Sequence, residues 1–180
     1  PLARDRESLD LLVPRVREVM RRVPRPFLLE NNTYYFDIDD SEMDEATFLN
    51  ALCNESGCGL VLDLHNLHTN AVNHGFDAMA MLQALDLSHV GEIHVAGGME
   101  LDGYWLDAHS GAVPDAVWAL LDWTLPRCRN IGGVTFEVFG SWVEHVGMAR
   151  IREDLQRLRD AWTRDQPASL RQRDVRGIAA

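Results

Sequence analysis

Four short apolar runs punctuate the chain, and each carries a polar residue at or near its end. They are Phe27–Leu29 before Glu30, Leu60–Leu62 before Asp63, Glu92–Val95 around His94, and Val134–Phe136 before Glu137. Unbroken apolar runs of this length, bounded by glycine or proline, predict strands covered on both faces, as in parallel sheets. Between them the apolar positions recur at intervals of three and four. Ser41 with Asp44 has the form of a capping box opening a helix through Phe48, Leu49 and Leu52. Phe76 to Leu85 reads as a second helix, and Pro114 in a first turn opens a third through Val117, Trp118 and Leu121. Met148, Ile151, Leu155, Leu158 and Trp162 mark the clearest helix. Arg6 to Arg22 is also helical, kinked or split at Pro14.

A helix followed by four strand–helix units predicts an α/β fold with a parallel sheet and right-handed crossovers. Successive strand-end residues lie 33, 31 and 43 positions apart, the last interval holding a loop insertion. A TIM (β/α)8 barrel of about 250 residues averages about 31 per unit. Residues 1–162 therefore read as four units, the C-terminal half of such a barrel, and residues 163–180 as a frayed tail.

Composition narrows the partners. The 46% hydrophobic content suits a globular core. No apolar run approaches the roughly 18 residues of a membrane span, so no membrane contact is expected. A net charge of −11, from 28 acidic and 17 basic residues, opposes a phosphate backbone, so no nucleic-acid partner is expected either. Cys53, Cys58 and Cys128 form no CxxC pair. They read as small packed hydrophobes in a reducing cytoplasm.

The strand ends carry the candidate chemistry. In a barrel, Glu30, Asp63, His94 and Glu137 would open into one mouth. The run Asp63-Leu64-His65-Asn66 places Asp63 and His65 on one strand face, with Asn66 just past the end. Asp107-Ala108-His109 follows His94 by 13 residues, and Asn73-His74-Gly75 reads as a loop tip. Carboxylates with neutral imidazoles and no thiolate cluster suit iron, manganese or zinc. Taken singly, each residue has a plainer role. A glutamate after a strand ordinarily caps a helix, and a histidine on an apolar strand is ordinarily a hydrogen-bonded core residue. His89 and His145 read as surface residues, His68 as a helix residue or a support for a ligand, and Trp105, Trp118 and Trp142 as packing. The joint pattern, in register at barrel spacing, is what points to a metal site.

The order E, D-x-x-[HN], H, D-x-H, E resembles the xylose isomerase-like barrels, which include sugar isomerases and apurinic endonucleases. The strings LLENNTYY, GCGLVLDLHNLHTNAVNHGFD, EIHVAGG and DAHSGAVPDAVW are more narrowly similar to the DUF692 family of multinuclear non-haem iron oxidases, over residues 1–155. That resemblance implies a cytoplasmic bacterial enzyme with two or three iron ions. It would use dioxygen to modify a ribosomally made precursor peptide, commonly at cysteine, delivered by a leader-binding partner protein. It implies metal ligands at Glu30, Asp63, Asn66, His94, Asp107, His109 and Glu137. His74, matching the NHG histidine, and Asn31, beside Glu30, are its catalytic candidates. The chain departs from the family strings at His65, where asparagine is usual, and at Gly98, where IHLAGH ends in histidine. FEVFGSW also stands in place of E-x-D after the last strand.

The resemblance further implies two more histidine ligands in a first half of the barrel. The expectation is that this N-terminal half was removed or is a separate chain, or that two copies pair to close the barrel. The chain alone is then not expected to hold the full iron cluster. Competing readings are a zinc or manganese hydrolase or isomerase, and a non-catalytic half-barrel interaction module.

Overall fold

The structure, a computed structural model, describes residues 2–36, 38 and 41–165. Helix α1 (Arg6–Arg22) opens with the Asp5 carboxylate accepting from Ser8 N and runs through Pro14 as one helix rather than two. Strand β1 (Leu28–Glu30) follows, then α2 (Glu45–Ser56). Asp44 alone caps α2, accepting from Thr47 N, while the Ser41 hydroxyl instead accepts from Arg4 N, so the expected capping box does not form.

The reading of the sequence is corrected most sharply after β2 (Gly59–Asp63). The strand stops at Asp63, and α3 (Leu64–His74) begins at the next residue. His65 therefore does not share a strand face with Asp63. Asn73-His74-Gly75 is the end of this helix rather than a loop tip, with Gly75 at φ +71° closing it in the left-handed region. The pattern hid α3 because its buried side includes His65, Asn66, Thr69 and Asn70 beside Leu64 and Leu67. Helix α4 (Ala78–Ala84), strand β3 (Val90–Ala96) and helix α5 (Asp115–Thr124) follow, Pro114 standing as the cap of α5 rather than in its first turn.

The insertion between β3 and α5 is a hairpin of β4 (Met99–Leu101) and β5 (Tyr104–Leu106). Asp102 and Gly103, both at positive φ, make its two-residue turn. An Asp-Gly pair is the local sequence signal for such a turn. Strand β6 (Gly133–Glu137), short helix α6 (Val143–Val146) and α7 (Met148–Asp165) complete the chain. Helix α7 reaches three residues into the segment expected to be tail; residues 166–180 lie outside the described part.

The main sheet is wholly parallel, in the order β1-β2-β3-β6. The order never reverses, unlike a doubly wound sheet, so it is compatible with part of a barrel. One face is sealed: Leu60, Leu62, Ile93 and Val95 lie in a core with Leu9 of α1, Phe48 of α2, Leu67 of α3 and Trp118 of α5. The other face is only half buried and carries Val61, Glu92, His94, Thr135 and Glu137. The expectation of strands covered on both faces therefore holds for one face only. The β2–β3 register slips by one residue between Leu60 and Val61, which sets Asp63 directly beside His94. Among the described residues no helix is long and apolar enough to cross a membrane.

Candidate metal centre

Asp63 is the hinge-pin of the site. One carboxylate oxygen, Oδ1, caps α3 by accepting from His65 N at 2.7 Å and Asn66 N at 2.8 Å. Its other oxygen, Oδ2, is buried with no hydrogen-bond partner. Burial pushes the Asp63 carboxyl up, and the Asp107 charge adds to this against the hydrogen bonds from the helix. Donor atoms of Glu30, Asp63 and His94 all lie within 4.8 Å of one another, and so do those of Asp63, His109 and Glu137. Two three-residue groups thus share one buried carboxylate.

His94 sits between them. Its Nε2 lies 3.2 Å from Glu92 Oε1, and Glu92 also accepts from the Thr135 hydroxyl at 2.6 Å. Its Nδ1 faces Glu30 at 3.8 Å and Glu137 at 3.5 Å and, like Asp63 Oδ2 and Asn66 Oδ1, is buried with no hydrogen-bond partner. With Nε2–H given to Glu92, Nδ1 presents a lone pair toward two carboxylates. That arrangement suits a cation held between the ring and the carboxylates.

On the second side, His109 Nε2 is 2.9 Å from Asp107 Oδ1 and 3.7 Å from Glu137 Oε2. The hydrogen bond with Asp107 raises the His109 pKa, burial opposing. Burial by itself would push the Asp107 carboxyl up, but hydrogen bonds from His109 and His65 outweigh it and hold Asp107 below the usual carboxylate range. His109 adopts φ +45°, a left-handed conformation costing about 1 kcal/mol for a residue with a Cβ. Its carbonyl accepts from Phe139 N at 3.1 Å and its ring stacks on Phe139. Glu30 is raised by burial and by the Asp63 charge, with His94 opposing.

The donor set fits divalent or trivalent cations. Glu30, Asp63, Asp107 and Glu137 converge, and their ion pairs among the described residues are with histidines rather than lysine or arginine. Asn66 joins the edge of the site, its amide nitrogen 3.4 Å from Glu30 Oε1 and 2.9 Å from the Asn31 carbonyl.

Two residues picked out in the sequence, Asn31 and His74, lie outside both groups. The Asn31 amide donates to Asp63 O at 2.9 Å and accepts from Asp63 N at 2.8 Å, bracing the ends of β1 and β2. His74 bonds the Tyr34 carbonyl at 2.9 Å and lines a cleft with Arg4, Asp44 and Phe76, none of them in either group. Glu92 and Tyr35 join the site without having been singled out in the sequence, and Trp105, expected only to pack, bonds His65 through its indole. Glu92 was signalled by lying two residues from His94 on one strand, but Trp105 and Tyr35, whose hydroxyl accepts from Asp107 N, had no local signal.

The family model for the RiPP precursor modification enzyme MbnB/TglH/ChrH matches residues 1–140, the stretch that contains both groups. The chain belongs to this family. The resemblance seen in LLENNTYY and the strings after it is therefore borne out, and membership of the DUF692, or MNIO, family carries metal binding with it. Relatives bear the name UPF0276 protein. One from Rhizobium meliloti is 39% identical over 136 residues, 73% of this chain and 44% of that protein. Another, from Chromobacterium violaceum, is 42% identical over 118 residues, 66% of this chain and 43% of that protein. A third, from Anaeromyxobacter, is 38% identical over 146 residues, 81% and 50% respectively. The chain spans about half the length of the curated relatives it matches.

Proposed function

We propose that the chain is the metal-holding half of a non-haem iron oxidase that uses dioxygen to modify cysteine residues of a ribosomally made precursor peptide. The observation that carries this reading is the set of buried acceptors, Asp63 Oδ2, Asn66 Oδ1 and His94 Nδ1, left without donors among converging carboxylates. Glu30, Asp63 and His94 would hold one ion, and Asp63, His109 and Glu137 a second, with Asn66 and Asp107 completing their surroundings. Bound iron would supply an acidic site for a thiolate and electrons for dioxygen, which side chains alone do not.

The protein's own residues fix the geometry. Glu92 occupies Nε2 of His94 and so turns Nδ1 toward the carboxylates. Asp63, tied to α3 through Oδ1, offers Oδ2 alone. Exposed Tyr35, Tyr104 and Phe139 stand at the approach, Tyr35 edge-on to Tyr104 and Phe139 against His109. They give an extended peptide an aromatic rim to lie on. The same reading includes two or three irons in the whole protein and further ligands from an N-terminal half-barrel or a second copy. It also includes a leader-binding partner and a cytoplasmic setting.

The test is metal analysis, an ultraviolet–visible spectrum and peptide mass spectrometry on the chain assembled with its complementary half. Iron with charge-transfer bands and an oxidised cysteine peptide are expected. His94→Ala and His109→Ala should each lower turnover at least about 100-fold, about 3 kcal/mol of transition-state stabilisation. Bound zinc or manganese with no such bands would point to a hydrolase or isomerase. A metal-free assembly that still binds its partner would point to an interaction module.

A further inference from the structure

We propose that His65 is the positioning residue for Asp107 and, through it, for His109, locked in one tautomer by Trp105 and given its space by Gly98. The inference rests on the metal-centre reading for its purpose but not for its geometry. His65 is fully buried at the start of α3. Its Nδ1 lies 3.1 Å from Asp107 Oδ1, and its Nε2 lies 3.1 Å from the indole nitrogen of Trp105. An indole N–H only donates, so Nε2 accepts and the ring proton sits on Nδ1, where it is donated to Asp107. With both ring nitrogens engaged, His65 has none left for a metal. It acts on the centre through Asp107, whose same oxygen meets His109 Nε2 at 2.9 Å.

Trp105 is itself clamped. Its backbone N–H donates to Asn73 Oδ1 and its carbonyl accepts from Asn73 Nδ2, both at 2.8 Å. The α3 helix thus holds β5 through Asn73, and β5 returns an indole to the first turn of α3. The result is a continuous chain of contacts from Asn73 through Trp105 and His65 to Asp107.

The space for this imidazole comes from Gly98. A Cβ at that position would stand 2.7 Å from His65 Nε2 and 2.2 Å from the Leu106 carbonyl oxygen. The two positions where the chain departs from the family strings are therefore in contact.

Long-range proton–nitrogen correlation spectra of the histidines in the metal-free chain test the geometry. His65 is expected in the Nδ1–H form, and Trp105→Phe is expected to release it into a tautomer mixture while the fold persists. A wild-type His65 in the Nε2–H form overturns the proposal. Titration with cobalt(II), followed separately at the His94 and His109 resonances, tests the consequence. Trp105→Phe and His65→Leu should weaken binding on the His109 side by about 10–100-fold, the usual cost of losing such a support. The His94 side should stay within about twofold. His65→Gln, which keeps a donor toward Asp107, should recover most of the loss. Equal weakening on both sides, no weakening, or no recovery by glutamine would each refute a positioning role. If wild-type chain binds no cobalt, the metal-centre reading fails, and the His65 and His109 tautomers in the two variants still decide whether His65 orients the pair.

Discussion

At the scale of single residues, the centre shows its purpose through groups held in costly states. His109 keeps a left-handed backbone and a proton shared with Asp107. His109→Gly should relieve the backbone cost, so it should lower the melting temperature of the metal-free chain less than His109→Ala does, while either variant loses ion binding on that side; differential scanning calorimetry with and without cobalt reads both. The pH dependence has a definite sign. Glu30, Asp63 and His109 all have folded pKa values raised above their ordinary ones. Each contributes stability that is complete below its unfolded pKa, about 4 for the carboxyls and about 6.5 for histidine, and lost as pH climbs through the raised value. Asp107 runs the other way, its contribution present above about 4 and lost as pH falls. The metal-free chain should therefore lose stability from mildly acidic toward alkaline pH, while ion affinity rises over the same range. Calorimetry in buffers of different ionisation heat should show proton release on ion binding, reduced in His109→Gln.

At the scale of elements, the strands were legible and the helix next to the site was not. Leu60–Leu62 and Val134–Phe136 announce strands because their outward side chains are apolar under helices, and the polar residue that ends each run marks where the sheet opens. The donors Glu30, Asp63, His94 and Glu137 were readable for that reason. Helix α3 escaped because polar residues interrupt its buried side and bond partners distant in sequence: His65 bonds Asp107, the Asn66 amide nitrogen donates to the Asn31 carbonyl, and that of Asn70 donates to the Asn32 carbonyl. Glu92 could have been read from strand alternation, whereas Trp105 needed the hairpin to fold back. The helix packed behind β6 supplies a control. Asp154 of α7 is buried, paired with Arg150 at 3.2 Å and accepting from Val113 N at 3.4 Å. Asp154→Ala should cost about 1–3 kcal/mol in chemical denaturation by stripping partners from Val113 and Arg150. Ion affinity should not change, because the residue touches neither metal group.

At the scale of the whole molecule, the sheet has two outer strands, β1 and β6, each bonded on one side among the described residues. The half-buried face that holds the centre lies between them. Charge compounds the openness, since three carboxylates converge in the two metal groups of a chain of net charge −11. A strong chelator should lower the melting temperature of protein purified with its ions, and added iron(II) should raise it in a concentration-dependent way, by about 2.7 kcal/mol of stabilisation at one hundred times the dissociation constant. An unchanged melting temperature across the titration would show that the acids are stable without a counter-ion. The sharing of Asp63 between the α3 cap and both metal groups extends this linkage into the cell. Ion starvation would remove the stabilisation that binding adds to the folded chain, exposing it more often to proteolysis. The amount of protein that survives would then follow iron supply, with no dedicated sensor required.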